Sequence, residues 1–200
     1  MQRYVTVVDQ QVEPFEQLVE RVFSEHAEVV GSIAITWNGL MSECGKIFHH
    51  LSGLQTVEAA QAIWNAPKND ATLRDMLLAI ATLAYEVKQP KRYRDIRWLI
   101  VEQFDKYRGH RDSAVHSPYA IYLSEKGLVV EPDTFHGNKL ARKLKEIDLE
   151  RDLTIYLENL RALRGFANGI AAALAWPNES DWPVKPALKP ISRESNTAPQ

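Results

Sequence analysis

Apolar residues recur along much of the chain at alternating spacings of three and four. The clearest case lies within residues 26–52, where the stripe consists of Val30, Ile33, Trp37, Leu40, Cys44, Ile47 and Leu51. That spacing brings all of them onto one face of an α-helix, which is the pattern of a helix packed in a bundle. Residues 13–26 are also helical in pattern, so the two segments form either one long, bent helix or two helices.

The same periodicity predicts further helices over residues 56–67, 69–88, 91–109 and about 147–175. Thr56 is predicted to cap the first of these, and Asn69 or Asp70 the second. Residues 133–146 are polar and predicted to be irregular.

Two short runs rich in β-forming residues lie between the last two helices, within residues 119–131. They flank Glu125-Lys126-Gly127, and Gly127 suits the left-handed position of a three-residue hairpin loop. The predicted fold class is therefore all-α, an antiparallel bundle of about five helices with a small β-hairpin before the last helix. We expect residues 1–176 to form this domain, and residues 177–200, with five prolines and many polar side chains, to be a disordered tail.

Composition is that of an ordinary soluble globular protein. The chain has 200 residues and a formal net charge of −2, so any binding of nucleic acid must depend on a local patch. The single cysteine, Cys44, excludes an internal disulfide and reads as a packing residue of the apolar stripe. No signal peptide or stretch long enough to span a membrane is recognised, which predicts a cytoplasmic protein without a membrane partner.

The densest group of ionisable side chains stands at a predicted helix end, in the segment RDSAVH. Arg111 and His116 are about 140° apart on a helix, and Asp112 shares a face with His116, so the three are expected to border one groove. An imidazole oriented by a carboxylate, with a guanidinium beside it, suits acid–base chemistry at a phosphodiester. Alternatively, Asp112 and His116 form a structural cap and Arg111 neutralises the helix C-terminus.

Arg111, the polar Asp112 and His116, placed before the last helix of an all-α bundle, resemble the motif of the HEPN superfamily. The resemblance implies a metal-independent endoribonuclease of a toxin or defence system, with no cofactor, with RNA as substrate and with an antitoxin as a partner. It also implies a homodimer in which His116 acts as general base, Arg111 stabilises the phosphorane and Asp112 positions one of them. A second match to the spacing, Arg21 to His26, has apolar Val22 in the second place and is interpreted as chance.

Basic side chains interleaved with aromatic ones follow the helix before the motif. The predicted RNA-binding residues are Arg94, Arg97, Lys106, Arg108 and His110. The alternative is that they form a solvated helix face.

The remaining histidines do not indicate a metal site. His49 and His50 are neighbours and point in different directions on a helix, so no metal site is predicted. Two alternatives to a ribonuclease remain: a catalytically silent bundle used for binding or oligomerisation, and a nucleotide-binding module without turnover.

Overall fold

The computed structural model of the chain describes residues 14–125, 127–134, 137–144, 148–179 and 181–191. Its helices are α1 (Phe15–Ser52), α2 (Val57–Trp64), α3 (Asp70–Tyr85), α4 (Pro90–Arg97), α5 (Phe104–His116), α6 (Lys139–Leu144) and α7 (Leu149–Ala175). A π-helical stretch, Trp98–Gln103, joins α4 to α5 without a break, so the two form one central helical rod. The predicted mostly helical bundle with a hairpin before the last helix is confirmed.

The first 38 helical residues form one continuous helix, α1, which decides between the two predicted arrangements. It ends at Ser52, and the next residue, Gly53, has a left-handed φ of 67°, which suits a residue without a Cβ. The predicted apolar stripe is its core-facing side, where Ile33, Trp37, Leu40, Cys44 and Ile47 are buried.

Both predicted N-caps are present. The side chain of Thr56 accepts a hydrogen bond from the backbone N–H of Ala59, and that of Asn69 accepts one from the backbone N–H of Thr72. The cap of α3 is therefore Asn69, and Asp70 is left as the first helical residue. The carboxylate of Asp70 is consequently available for a contact with another helix.

The central rod runs antiparallel to α1 and to α7. Along α1, Trp37 packs on Phe104, with ring centroids 4.9 Å apart, while His26 packs on Tyr119 just beyond the end of α5. Along α7, an early residue, Tyr156, stacks on Tyr107, and the later Phe166 packs on Trp98. Since α1 and α7 are both antiparallel to the rod, they run parallel to each other.

Contacts with α3 follow the same order. The start of α3 meets the end of the rod through Asp70 and Arg111, and its end meets α4 through Thr82 and Tyr93. The rod thus contacts α1, α3 and α7, and the most extensive contact between two helices of the bundle is that of α1 with α7.

The hairpin pairs β1 (Tyr119–Ser124) with β2 (Gly127–Pro132) in an antiparallel ladder from Tyr119–Pro132 to Ser124–Gly127. Gly127 has the positive φ that was predicted, 108°. Because Gly127 itself pairs with Ser124, two residues separate the strands, one fewer than predicted.

The prediction of an irregular segment over residues 133–146 is wrong for α6. Its start is capped by Asn138, whose side-chain oxygen accepts hydrogen bonds from the backbone N–H groups of Leu140 and Ala141. Ala141 and Leu144 are buried, but a helix of six residues is too short to display a periodic stripe.

The prediction of a disordered tail is wrong for residues 181–191, which form an extended segment that we call the C-terminal strap. The strap runs back along α7: Pro183 lies against Gly169, and the backbone of Lys189 exchanges two hydrogen bonds of 2.9 Å with the amide of Asn159. Ile191 is only 2% exposed. Residues 192–200 of the predicted tail lie outside the described residues.

Within the described ranges, no helix is both long enough and apolar enough to cross a membrane.

Candidate functional site

A cavity of about 510 Å³ lies between α1, α2, the start of α3 and the end of α5. Its polar lining consists of Asn38, Ser42, Lys46, His49, His50, Gln61, Asn65, Asp70 and Arg111. Its apolar lining consists of Trp37, Met41, Gly45, Val57, Trp64 and Leu73. The volume is within the range of small-molecule sites, about 300–1,000 Å³, and the lining combines apolar walls with converging polar groups.

Helix α1 supplies the polar wall through its periodicity. Asn38, Ser42 and Lys46 recur every four residues, and His49 and His50 lie on either side of that face one turn further on. This polar stripe borders the buried apolar stripe. From this stripe the α1 wall of the cavity could have been predicted from the sequence. The walls formed by α2, α3 and α5 could not.

Gly45 allows α2 to approach α1 closely. A Cβ at this position would lie 2.9 Å from the indole ring of Trp64, closer than side chains tolerate. Trp64 in turn packs on Phe48, with ring centroids 5.6 Å apart. The close contact of α1 with α2 therefore shapes the floor of the cavity.

Arg111 enters the cavity from α5. Its Nη2 donates a hydrogen bond of 2.5 Å to the carboxylate of Asp70, and its guanidinium carbon lies 5.2 Å from the centre of the Trp37 ring. The side chain is 22% exposed. Within the described part of the chain, Nη1 makes no hydrogen bond, which leaves donor capacity for an anionic ligand.

The other two motif residues are placed differently from the prediction. Asp112 lies beside Arg111, with its Oδ1 3.2 Å from the guanidinium Nε, and among the described side chains it does not pair with His116. His116 is exposed at the last residue of α5 and does not line the cavity. The expected shared groove therefore holds Arg111 but not His116, since α5 stays helical and turns the two side chains about 140° apart.

Two histidines that were set aside at the level of sequence lie in the cavity instead. The rings of His49 and His50 have centroids 5.0 Å apart, and both line it. They leave α1 in different directions, as predicted, but the cavity is wide enough to include both. Partial burial and the positive charge of His49 lower the pKa of His50. Nδ1 of His49 is buried without a hydrogen-bond partner among the described residues, so Nε2 is the nitrogen through which His49 can exchange a proton.

The predicted RNA-binding residues lie along the central rod, outside the cavity lining. Arg94 and Arg97 are exposed, and Arg97 lies 3.7 Å from Glu102. Lys106 lies over the Tyr107 ring, Arg108 is half-buried, and His110 packs against Tyr156. A role for these five in RNA binding stays a prediction.

In the second match to the motif spacing, Arg21 is bonded to Glu25 and His26 packs on Tyr119, so the pair has different neighbours. Cys44 is buried, as predicted for a packing residue. The described residues contain no group of three or more His, Cys, Asp or Glu side chains arranged to hold a metal ion.

Comparisons with known proteins find no matching family model, no similar curated protein and no similar solved structure. The resemblance to HEPN proteins therefore depends on the helical fold and on Arg111, Asp112 and His116 alone.

Proposed function

We propose that this chain is a HEPN-like protein that binds RNA in the cavity and cleaves it without a metal ion. The observation that carries the proposal is Arg111, whose guanidinium lines an open cavity together with Lys46 and two imidazoles. A guanidinium presents donors in the planar arrangement that matches phosphate oxygens.

Two cations, Arg111 and Lys46, and one carboxylate, Asp70, line the cavity, and Asp112 also lies 3.2 Å from Nε of Arg111. Asp70 is the carboxylate that lines it, and it already accepts a hydrogen bond from Arg111. Lys46 adds a second positive charge, although it is also paired with Glu43 at 2.9 Å. A phosphodiester can bind the donors that face the cavity, and Asp70 keeps the Arg111 charge neutralised when no ligand is bound.

Cleavage without a metal needs a cation for the phosphorane and groups that move protons. Arg111 supplies the cation in this proposal. The HEPN resemblance assigns the base to His116. The homodimer, the antitoxin partner, the cytoplasmic location and the toxin or defence role belong to the proposal and rest on that resemblance alone.

A second candidate function is a catalytically silent scaffold. It is favoured by the same guanidinium, because the contacts of Arg111 with Asp70 and Trp37 tie α5 to α3 and α1. In that case Arg111 stabilises the bundle, and no RNA cleavage exists to be lost.

The decisive variant is Arg111→Lys, which keeps a positive charge but removes the planar set of donors. We expect single-stranded RNA to be cleaved by the wild-type protein in the presence of a chelator, leaving 2′,3′-cyclic phosphate ends. Arg111→Lys should lower the rate by about 100-fold, the order of loss seen when one stabilising donor is removed. Cleavage is measured on end-labelled RNA, and melting temperatures confirm that the variant is folded.

Arg164→Lys is the matched control, because Arg164 is an exposed arginine of α7 outside the cavity lining. It should leave cleavage unchanged. Absence of cleavage by the wild-type protein, together with a large drop in melting temperature for Arg111→Ala, would favour the scaffold instead.

A further inference from the structure

We infer that His49 and His50 form the acid–base pair of this cavity and act on an RNA phosphodiester held by Arg111. The inference rests on the proposed RNA cleavage and assigns the proton transfers to residues outside the RDSAVH motif. It reassigns a role that the HEPN resemblance gives to His116.

Geometry is the first support. Both imidazoles line the cavity that Arg111 lines, whereas His116 is exposed outside it. With ring centroids 5.0 Å apart, the pair can address two oxygens of one phosphodiester. A group that transfers a proton in the reaction must come within about 2.6–3.2 Å of the oxygen concerned.

The charge state of the pair is the second support. Partial burial lowers the pKa of His50, and so does the positive charge of His49, because two positive charges on neighbouring rings repel each other. The charged groups facing it are Lys46 from α1, Asp70 from α3 and Arg111 from α5, while the α2 wall contributes Val57, Gln61, Trp64 and Asn65, none of which is charged. A pair with one neutral and one protonated imidazole is equipped to act as base and acid in the same turnover.

The reaction is then a transesterification. The neutral imidazole accepts the proton of the ribose 2′-hydroxyl, whose oxygen forms a bond to phosphorus. The bond from phosphorus to the 5′-oxygen breaks, and the protonated imidazole gives its proton to that oxygen. The products are a 2′,3′-cyclic phosphate and a 5′-hydroxyl, and atoms, protons and charge balance without a metal or a second substrate. The guanidinium of Arg111 stabilises the charge on the non-bridging oxygens.

The test uses the full-length protein, a short single-stranded RNA and a chelator, under single-turnover conditions. His49→Ala and His50→Ala should each lower the cleavage rate by about 100-fold or more, the usual contribution of acid–base catalysis. The control variant Arg164→Lys, outside the cavity lining, should leave the rate unchanged. The bell-shaped pH profile of the wild-type protein should lose one limb in each of the two cavity variants, and added imidazole should restore part of the rate.

A substrate with a single 2′-deoxy residue at the cleavage site should not be cut, because the nucleophile is missing. Melting temperatures show whether each variant is folded. If His49→Ala does not fold, His50→Ala still tests the inference, because the His50 side chain is the more exposed of the two. If His116→Ala abolishes cleavage while both cavity variants stay near the wild-type rate, the inference is overturned and the proposed ribonuclease stands. The inference would also be overturned if the pH profiles of the cleavage rate for His49→Ala and His50→Ala kept both limbs of the wild-type profile. If the wild-type protein cleaves no RNA, the proposed function fails and the inference fails with it.

Discussion

Cys44, His49 and His50 lie within two turns of α1, but the faces of the helix give them different chemistry. Cys44 belongs to the buried stripe, where burial, followed by the negative charge of Glu43, raises the pKa of its thiol to about 12. The two histidines lie on the polar stripe and meet the cavity. At the scale of single residues, the direction in which a side chain leaves the helix therefore decides whether it is buried in the core or reaches the cavity.

We expect the Cys44 thiol to be inert in the folded protein. At about pH 8 the fraction present as thiolate is negligible, and the thiolate is the form that reacts. A thiol-reactive dye should label the native chain far more slowly than the chain in guanidinium chloride. Glu43→Gln should stay almost as slow, because burial is the larger cause of the shift. Labelling of the native protein at the rate of the unfolded chain would contradict the assigned burial.

At the scale of elements, α1 does more than complete the helical core. Its first half extends to the hairpin, where the ring of His26 packs edge-on against Tyr119 at 4.2 Å between centroids. Tyr119 also donates a hydrogen bond from its hydroxyl to the backbone oxygen of Ala114. The contact of His26 with Tyr119 therefore joins α1 to β1, and the hydrogen bond of Tyr119 joins β1 to the end of α5.

This contact should weaken in acid. Burial lowers the pKa of His26, so the folded chain binds a proton there less readily than the unfolded chain, whose histidine titrates near about 6.5. The stabilisation that the neutral, buried imidazole of His26 provides is complete above about pH 6.5. It is lost as the pH falls through the lower pKa that His26 has in the folded chain. From about pH 7.5 to about pH 5, the melting temperature of the wild-type protein should fall more than that of His26→Phe, which keeps an aromatic ring. Equal slopes for the two proteins would exclude this role of His26.

At the scale of the whole molecule, the C-terminal strap closes the bundle. Trp182 donates a hydrogen bond from its indole to the buried carboxylate of Asp95, and Lys185 lies 3.1 Å from the same carboxylate. Further along, the strap satisfies the buried amide of Asn159 and buries Ile191. The strap therefore covers apolar surface of α7 and neutralises a buried charge of α4.

Deletion of residues 181–200 should destabilise the protein. Exposing Ile191 alone costs about 1.5–3 kcal/mol, and each kcal/mol lowers the melting temperature by roughly 2–4 °C in a protein of this size. Deletion of residues 192–200 alone is the matched control and should have little effect, because it keeps every strap contact described here. Equal melting temperatures for the longer deletion and the wild-type protein, measured by calorimetry, would show that the strap does not stabilise the fold.

The sequence by itself determined the helices that are several turns long. The apolar stripe of α1, the side-chain caps at Thr56 and Asn69 and the glycine of the hairpin were all readable, because each is a local pattern with a local physical cause. A periodic stripe needs several turns to be visible, which is why α6 was missed.

Only the tertiary structure decided which distant residues meet. Arg111 contacts Asp70 across 41 positions, and Asn159 receives the strap from 30 positions away. Neither contact produces a periodic pattern in the sequence, because each depends on how distant segments of the chain are packed against each other. The same holds for the cavity. Arg111 is close to His116 in the sequence, but helix packing places Arg111 in the cavity that His49 and His50 line.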